Sequence, residues 1–289
     1  MSLTLTPILI LMLSNFFCKV PMFNPITRNN AIFKSELFLR DVLAFSVMET
    51  ILNDSIKYPT PKIFSNGKDC AIVNSDPEHA VIVWTADSFQ EKAELYKFIK
   101  KEFAANTPLK IMSKKNFYDY LVENRQIPEL SVQTLGVYTC PQLNDVQYIG
   151  HPDQAKAGEL EQVARMKVGF RHETGENTQA ELADYMEEAQ KYTSDPNYLV
   201  WRDTNEKIVA IAHKRTGGTY ARISEVFTLP EARGKSYAKM LVHHLTSLSL
   251  KKGQGVMLFT NYDYAPSNRC YQAIGYQLTC TIVNFIPKI

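Results

Sequence analysis

Val226-Phe227-Thr228-Leu229-Pro230-Glu231-Ala232-Arg233-Gly234-Lys235-Ser236-Tyr237-Ala238 is the stretch that decides how this chain is read. An apolar, β-type run passes through a Pro-Glu turn straight into an amphipathic stretch that predicts a helix over 235–250. A strand, a turn and a helix start in that order aim several unpaired backbone N–H groups at one point. The helix end adds a partial positive charge, small residues allow oxygens to approach the backbone, and Arg233 and Lys235 add cationic side chains, so a pyrophosphate can bind there. Taken alone, the same block also suits a capped helix that follows a strand.

Its surroundings add weight. Upstream, β-type runs at 198–201, 208–214 and 221–228 are joined by Asp203-Thr204-Asn205 and by Gly217-Gly218, which predicts a contiguous antiparallel sheet. Before them come a strand over 146–149 and helices over 154–166 and 179–192. Downstream follow a strand over 256–260, a helix over 265–273 and a last strand over 276–283. Asn268 and Tyr271 are three apart on the predicted helix and share a face, which points an amide and a phenol together towards the preceding strand.

Arg233 to Ala238 resembles the R/Q-x-x-G-x-G/A turn of the GNAT acetyltransferase superfamily, with Ser236 where that family usually has glycine. Asn268, Tyr271, Gly275 and Tyr276 look like its second block, N-x-x-Y-x-x-x-G-F/Y. The resemblance covers residues 145 to 289. It implies an α+β (mixed α/β) fold, with a central, mostly antiparallel sheet flanked by helices, and acetyl-CoA as cosubstrate without a metal. It implies that Arg233, Gly234, Lys235, Ser236, Tyr237 and Ala238 cradle the pyrophosphate and that Asn268 contacts the pantetheine arm or the nucleotide. The strand over 221–228 would splay from its neighbour, and an amide of Val226, Phe227 or Thr228 would donate to the thioester oxygen. Tyr271 would be the general acid for the departing thiolate. If Ser236 needs a positive φ, it carries strain that glycine would not.

The acceptor implied is a primary amine of a small molecule. Glu225 is the carboxylate nearest the expected thioester and the candidate base; a water-relayed or unassisted attack is the alternative. His213, His244 and Cys270 are weaker candidates, as packed side chains or a lone thiol. The acids Glu159, Glu161, Glu173, Glu176, Glu181 and Asp184 suit either a cationic amine or a solvated helix face. Two-domain bacterial acetyltransferases and animal glycine N-acyltransferases are both similar in layout. A catalytically silent CoA-binding regulatory module is the reading from another class, motivated by Ser236.

At 289 residues, two domains are expected. Helix over 35–56, strands over 62–65, 70–74 and 80–84, helix over 88–103, strand over 109–112 and helix over 114–122 give the first half a similar element order. It reads as a smaller α/β domain, a degenerate GNAT-like copy, over 23–144, joined through a linker near 141–144 to the catalytic domain at 145–289. The apolar run over 8–20, within an N-terminal extension of 1–22, fits a signal, a packing helix or an upstream extension, and is too short to span a bilayer. The sequon Asn53-Asp54-Ser55 matters only under the first. A net charge of +2, from interspersed charges, argues against nucleic acid or membrane as partner. Five scattered cysteines read as reduced thiols, consistent with a cytoplasmic monomer or homodimer.

Overall fold

A computed structural model describes residues 22–106, 108–128, 132–175 and 179–287; most of the apolar extension lies outside them. The first half runs β1 (Asn24–Pro25), α1 (Glu36–Asp41), α2 (Ser46–Asn53), β2 (Lys62–Ser65), β3 (Cys70–Asn74), β4 (Val81–Thr85), α3 (Lys92–Glu102), β5 (Ile111–Ser113), α4 (Lys115–Glu123) and β6 (Gln133–Thr139). The second runs β7 (His151–Asp153), α5 (Leu160–Thr174), α6 (Ala183–Gln190), β8 (Tyr198–Arg202), β9 (Ile208–Arg215), β10 (Ala221–Thr228), α7 (Tyr237–Leu250), β11 (Val256–Asn261), α8 (Ala265–Ile274) and β12 (Gln277–Phe285).

The twelve strands of the described residues form one sheet, in the order β1-β2-β3-β4-β5-β12-β6-β11-β10-β9-β8-β7. Pairing is antiparallel except β4 with β5 and β10 with β11. The mixed α/β class is as expected, and each half repeats one order: three antiparallel strands, a helix, a strand parallel to the third, a helix and a closing strand. The closing strands are exchanged. β6 pairs with β11 and β12, and β12 in turn pairs with β5. The sheet therefore runs on across residue 144, where a boundary was expected. β6 itself escaped the sequence reading because Gly136 interrupts its short run of strand-forming residues.

Because side chains alternate along a strand, the exchanged strands tie both halves into common layers. Tyr138, Leu258 and Ile274 pack with α7 and α8 on one face, where Val283 and Phe285 pack with α3 and α4. On the opposite face Val137, Met257 and Ile282 pack with α1 and α2, while Ile211 and Phe227 pack with α5 and α6. Strands β3, β4 and β8 are buried on both faces, which is why they read as unbroken apolar runs.

Local chemistry set several boundaries away from the sequence reading. The single helix expected over 35–56 is two. Ser35 caps α1 through Phe38 N at 3.2 Å, and the break at 42–45 lets Phe38 meet Trp84 edge-on at 5.3 Å while Met48 and Ile51 face the sheet. The strand expected over 146–149 is irregular chain instead, with the Ile149 carbonyl accepting from Trp201 Nε1 at 2.9 Å, and the edge strand is His151–Asp153. The fully buried Arg202 is held by Asp153 at 2.7 Å and Glu159 at 2.8 Å, so these acids serve the fold. Among the described residues no helix is long and apolar enough to cross a membrane.

Candidate active site

The centre of the site is a bulge in β10. Ser224 pairs with His213 and Phe227 with Ile211, so Glu225 and Val226 have no register partner on β9, and Glu225 takes φ +55°. On the other side β10 pairs with β11 only from Ala221 to Ile223, although both strands continue. The two parallel strands part where the bulge begins. Of the three expected amide donors, Phe227 and Thr228 return to register with β9, and Val226 alone stands outside both ladders.

At the end of β10 the chain turns into α7. Gly234 has φ +79° and Ser236, the N-cap of α7, has φ +64°. The serine thus sits in the left-handed region that glycine enters without cost, and its side chain makes no capping bond. Replacing Ser236 by glycine should raise the stability of the turn by about 1 kcal/mol and tighten CoA binding, as read by thermal unfolding with and without CoA. An unchanged or lower Tm would show that the serine is unstrained.

Arg233 leans back over this turn. Its Nε donates to the Thr228 carbonyl at 3.2 Å and its Nη2 to both Glu173 oxygens at 2.6 and 2.7 Å. Lys235 is exposed, Tyr237 is buried under α7 and Ala238 is half-buried. Beside the turn, between α5 and the end of β10, lies an open cavity of about 530 Å³ lined in part by Gly169, Phe227 and Leu229. Gly169 is what lets α5 come so close: a Cβ there would lie 2.8 Å from the Phe227 ring.

On the α7/α8 face, Tyr271 is buried and sits edge-on to Tyr276 at 6.1 Å. It belongs to the cluster that contains Leu258 of β11 and against which Val226 of β10 packs, so its ring lies in the layer beneath the parted strands. Burial pushes its phenol above the ordinary range, so it is protonated at neutral pH. Asn268, on the same helix, donates to the Tyr262 carbonyl at 2.7 Å, while its Oδ1 is buried without a partner. Burial raises the Cys270 thiol to about 11, which leaves little thiolate for nucleophilic chemistry.

The opposite face carries a charge network that the sequence reading missed. Lys167, on the apolar side of α5, bonds both Glu225 and Glu188. Glu225 also pairs with Arg215 at 2.7 Å and Arg171 at 3.4 Å. Burial would raise the Glu225 carboxyl, but Lys167 and Arg215 outweigh it and hold the group well below the usual carboxylate range. The expected base is therefore a poor proton acceptor. His213 stacks on Tyr198 at 3.6 Å, and burial together with Arg215 depresses its imidazole to about 2. Atoms of Glu188, His213 and Glu225 converge within 4.8 Å, and the Lys167 ammonium bonds both carboxylates. His243 bonds Tyr148 at 2.7 Å and the Asn144 carbonyl at 3.1 Å, and His244 is half-buried.

Residues 166–276 match the model of the acetyltransferase (GNAT) family. The C-terminal half thus carries the resemblance to the GNAT acetyltransferases. Solved structures bear out the fold over most of the chain. A GNAT-family acetyltransferase from Colwellia psychrerythraea is 15% identical with a TM-score of 0.55, covering 92% of this chain and 99% of its own. A GCN5-related N-acetyltransferase from Sphaerobacter thermophilus is 13% identical with a TM-score of 0.63, covering 92% and 96%. A tandem GNAT protein from the clavulanic acid biosynthesis pathway is 10% identical with a TM-score of 0.52, covering 92% and 98%. No curated protein matches the sequence. Within the matched residues, the turn and the parted strands coincide with the stretches quoted first from the sequence. In the first half, the equivalent turn after β4 has no glycine and buries Phe89 between Asp87 and Glu91, which leaves it unsuited to a diphosphate.

Proposed function

We propose that the protein is an N-acetyltransferase that moves the acetyl group of acetyl-CoA to the primary amine of a small molecule. The observation that supports this most is the place of Val226, outside both ladders, at the mouth of a gap whose strand leads through a glycine-containing turn into a helix start. The diphosphate sits on the amides of 233–238, with Arg233 shared between it and Glu173, and pantetheine lies along β10 on the α7/α8 face with the Asn268 amide within its reach. The thioester oxygen then accepts from Val226, which steadies the oxyanion as the amine attacks.

The amine enters from the α5/α6 face in its neutral form, attacks the thioester carbon and then passes its ammonium proton to water, since neither Glu225 nor His213 is basic enough to take it. Glu225 instead fixes the bulge by anchoring it to α5 and β9. As the tetrahedral intermediate collapses, the C–S bond breaks and Tyr271 donates a hydrogen bond to the leaving thiolate. The test is release of free thiol from acetyl-CoA with a panel of amines, alongside the Gly234→Glu variant. Turnover with at least one amine and its loss in the variant are expected. CoA binding without acyl transfer to any amine would favour a silent binding module.

A further inference from the structure

Arg215 and Arg222 are direct register partners across the β9–β10 hairpin, so two guanidiniums stand on the same face of adjacent strands. Like charges directly opposite are destabilising unless an anion lies between them. Arg215 has one, Glu225 at 2.7 Å, which it shares with Lys167 and Arg171. Arg222 has none among the described residues. Its Nη1 donates to Ser46 Oγ at 3.3 Å and its guanidinium lies 5.8 Å from the Phe259 ring. Burial and the neighbouring Arg215 lower even this guanidinium, to about 10.

The place of this cation matters as much as its lack of a partner. Phe259 is one residue beyond Leu258, the last residue of β11 that pairs with β10. The Arg222 head group therefore leans to the point where the strands part, on the face opposite Tyr271. The first half closes over it: Ser46 lies on α2, Glu49 is engaged by Thr219 at 2.6 and 2.9 Å, and Asn53 donates to the Gly217 carbonyl at 2.9 Å. Lys57 adds a further cation near Arg215, and buried Tyr192 Oη and His213 Nδ1 have no hydrogen-bond partner among the described residues. Around the bulge, cations outnumber the two carboxylates, Glu188 and Glu225. Three other acids of α5 and the segment after it are engaged away from the bulge: Glu161 with Arg165, Glu173 with Arg233 and Asp184 with the Glu181 amide.

We propose that the acceptor is an amino acid, an amine that also carries a carboxylate, and that Arg222, with Arg215 beside it, binds that carboxylate at the mouth of the parted strands. This rests on the acyl-transfer reading above and specifies its second substrate. The bound carboxylate would relieve the cross-strand repulsion and hold the amine on the Val226 side. A cationic amine without an acid group, one of the two readings the acidic residues of 159–184 allowed, would meet a surface of its own sign.

The test compares α-, β- and γ-amino acids with their primary amides, in turnover with acetyl-CoA and in calorimetric binding to the CoA-loaded full chain. At least one acid should be preferred to its amide by about tenfold or more, the scale of a hydrogen bond to a charged group. Arg222→Gln should remove most of that preference by raising the KM for the acid about 10- to 100-fold, and Arg222→Lys should recover part of it. Equal use of acids and amides, preference for a diamine, or an unchanged ratio in Arg222→Gln overturns the proposal while leaving acyl transfer in place. Amino acid binding that Arg222→Gln abolishes, without any turnover, supports the subsite and removes the transferase reading. Absence of both turnover and amino acid binding overturns both.

Discussion

Expressed on its own, the segment 145–289 should fail to form a stable monomer, even though it contains every residue assigned to the cofactor and to acyl transfer. Without β6, the Met257–Asn261 edge of β11 loses its partner and β12 loses both of its neighbours, β6 and β5. Those strands would present unpaired N–H and C=O groups on the inside of what was a sheet, a template for association between chains. The apolar loss adds to this. Val137 and Tyr138 are fully or nearly fully buried on opposite faces, and each such side chain is worth about 1.5–3 kcal/mol. A domain's whole margin is about 5–15 kcal/mol, so losing the strand, its packing and the first half's cover over Met257 and Ile282 exceeds what the segment can spare. Size-exclusion chromatography and thermal unfolding of the full chain and of 145–289 check this. A monomeric segment that unfolds cooperatively within a few degrees of the full chain would show the exchanged strand to be dispensable.

The same exchange explains where the sequence was legible and where it was not. The turn after β10 could be read because its chemistry is local: a strand, a Pro-Glu turn, small residues and a helix start lie within thirteen consecutive residues. The hairpin strands β8 to β10 were legible for the same reason, through Gly217-Gly218 and the Asp203 turn. Strand exchange is a long-range pairing, and nothing in Gln133–Thr139 indicates that its neighbours lie more than a hundred residues downstream. The charge network escaped for a related reason. Lys167 reads as a solvated position on a helix until α6 and β10 close around it, and Glu225 reads as a free carboxylate until Lys167 and Arg215 flank it. The facing arginines were hidden too: a two-residue turn at Gly217-Gly218 would set Arg215 opposite Tyr220, whereas the observed register pairs it with Arg222.

Replacing Tyr271 by phenylalanine should lower kcat by about 10²-fold while changing the Kd for CoA little. The ring fills a packed position beside Tyr276 and under Leu258, and phenylalanine keeps that volume, so the fold and the cofactor's seat are preserved. What disappears is one hydroxyl in an apolar layer. Burial holds that phenol protonated well above neutral pH, so it is available as a donor throughout the working range. The same burial makes complete transfer of its proton to a thiolate unfavourable, because an ordinary thiol titrates near pH 8.5. In the proposed reaction Tyr271 would therefore act chiefly through a hydrogen bond that strengthens as charge builds on sulfur, an interaction made in the transition state more than in the ground state. Steady-state kinetics with acetyl-CoA and the best amine, together with calorimetry using CoA, separate this from simple packing. If Tyr271→Phe weakens CoA binding and kcat/KM equally, or leaves both unchanged, the hydroxyl has no part in expelling the thiolate, and the neutral amine would then have to displace CoA without help from the α7/α8 face.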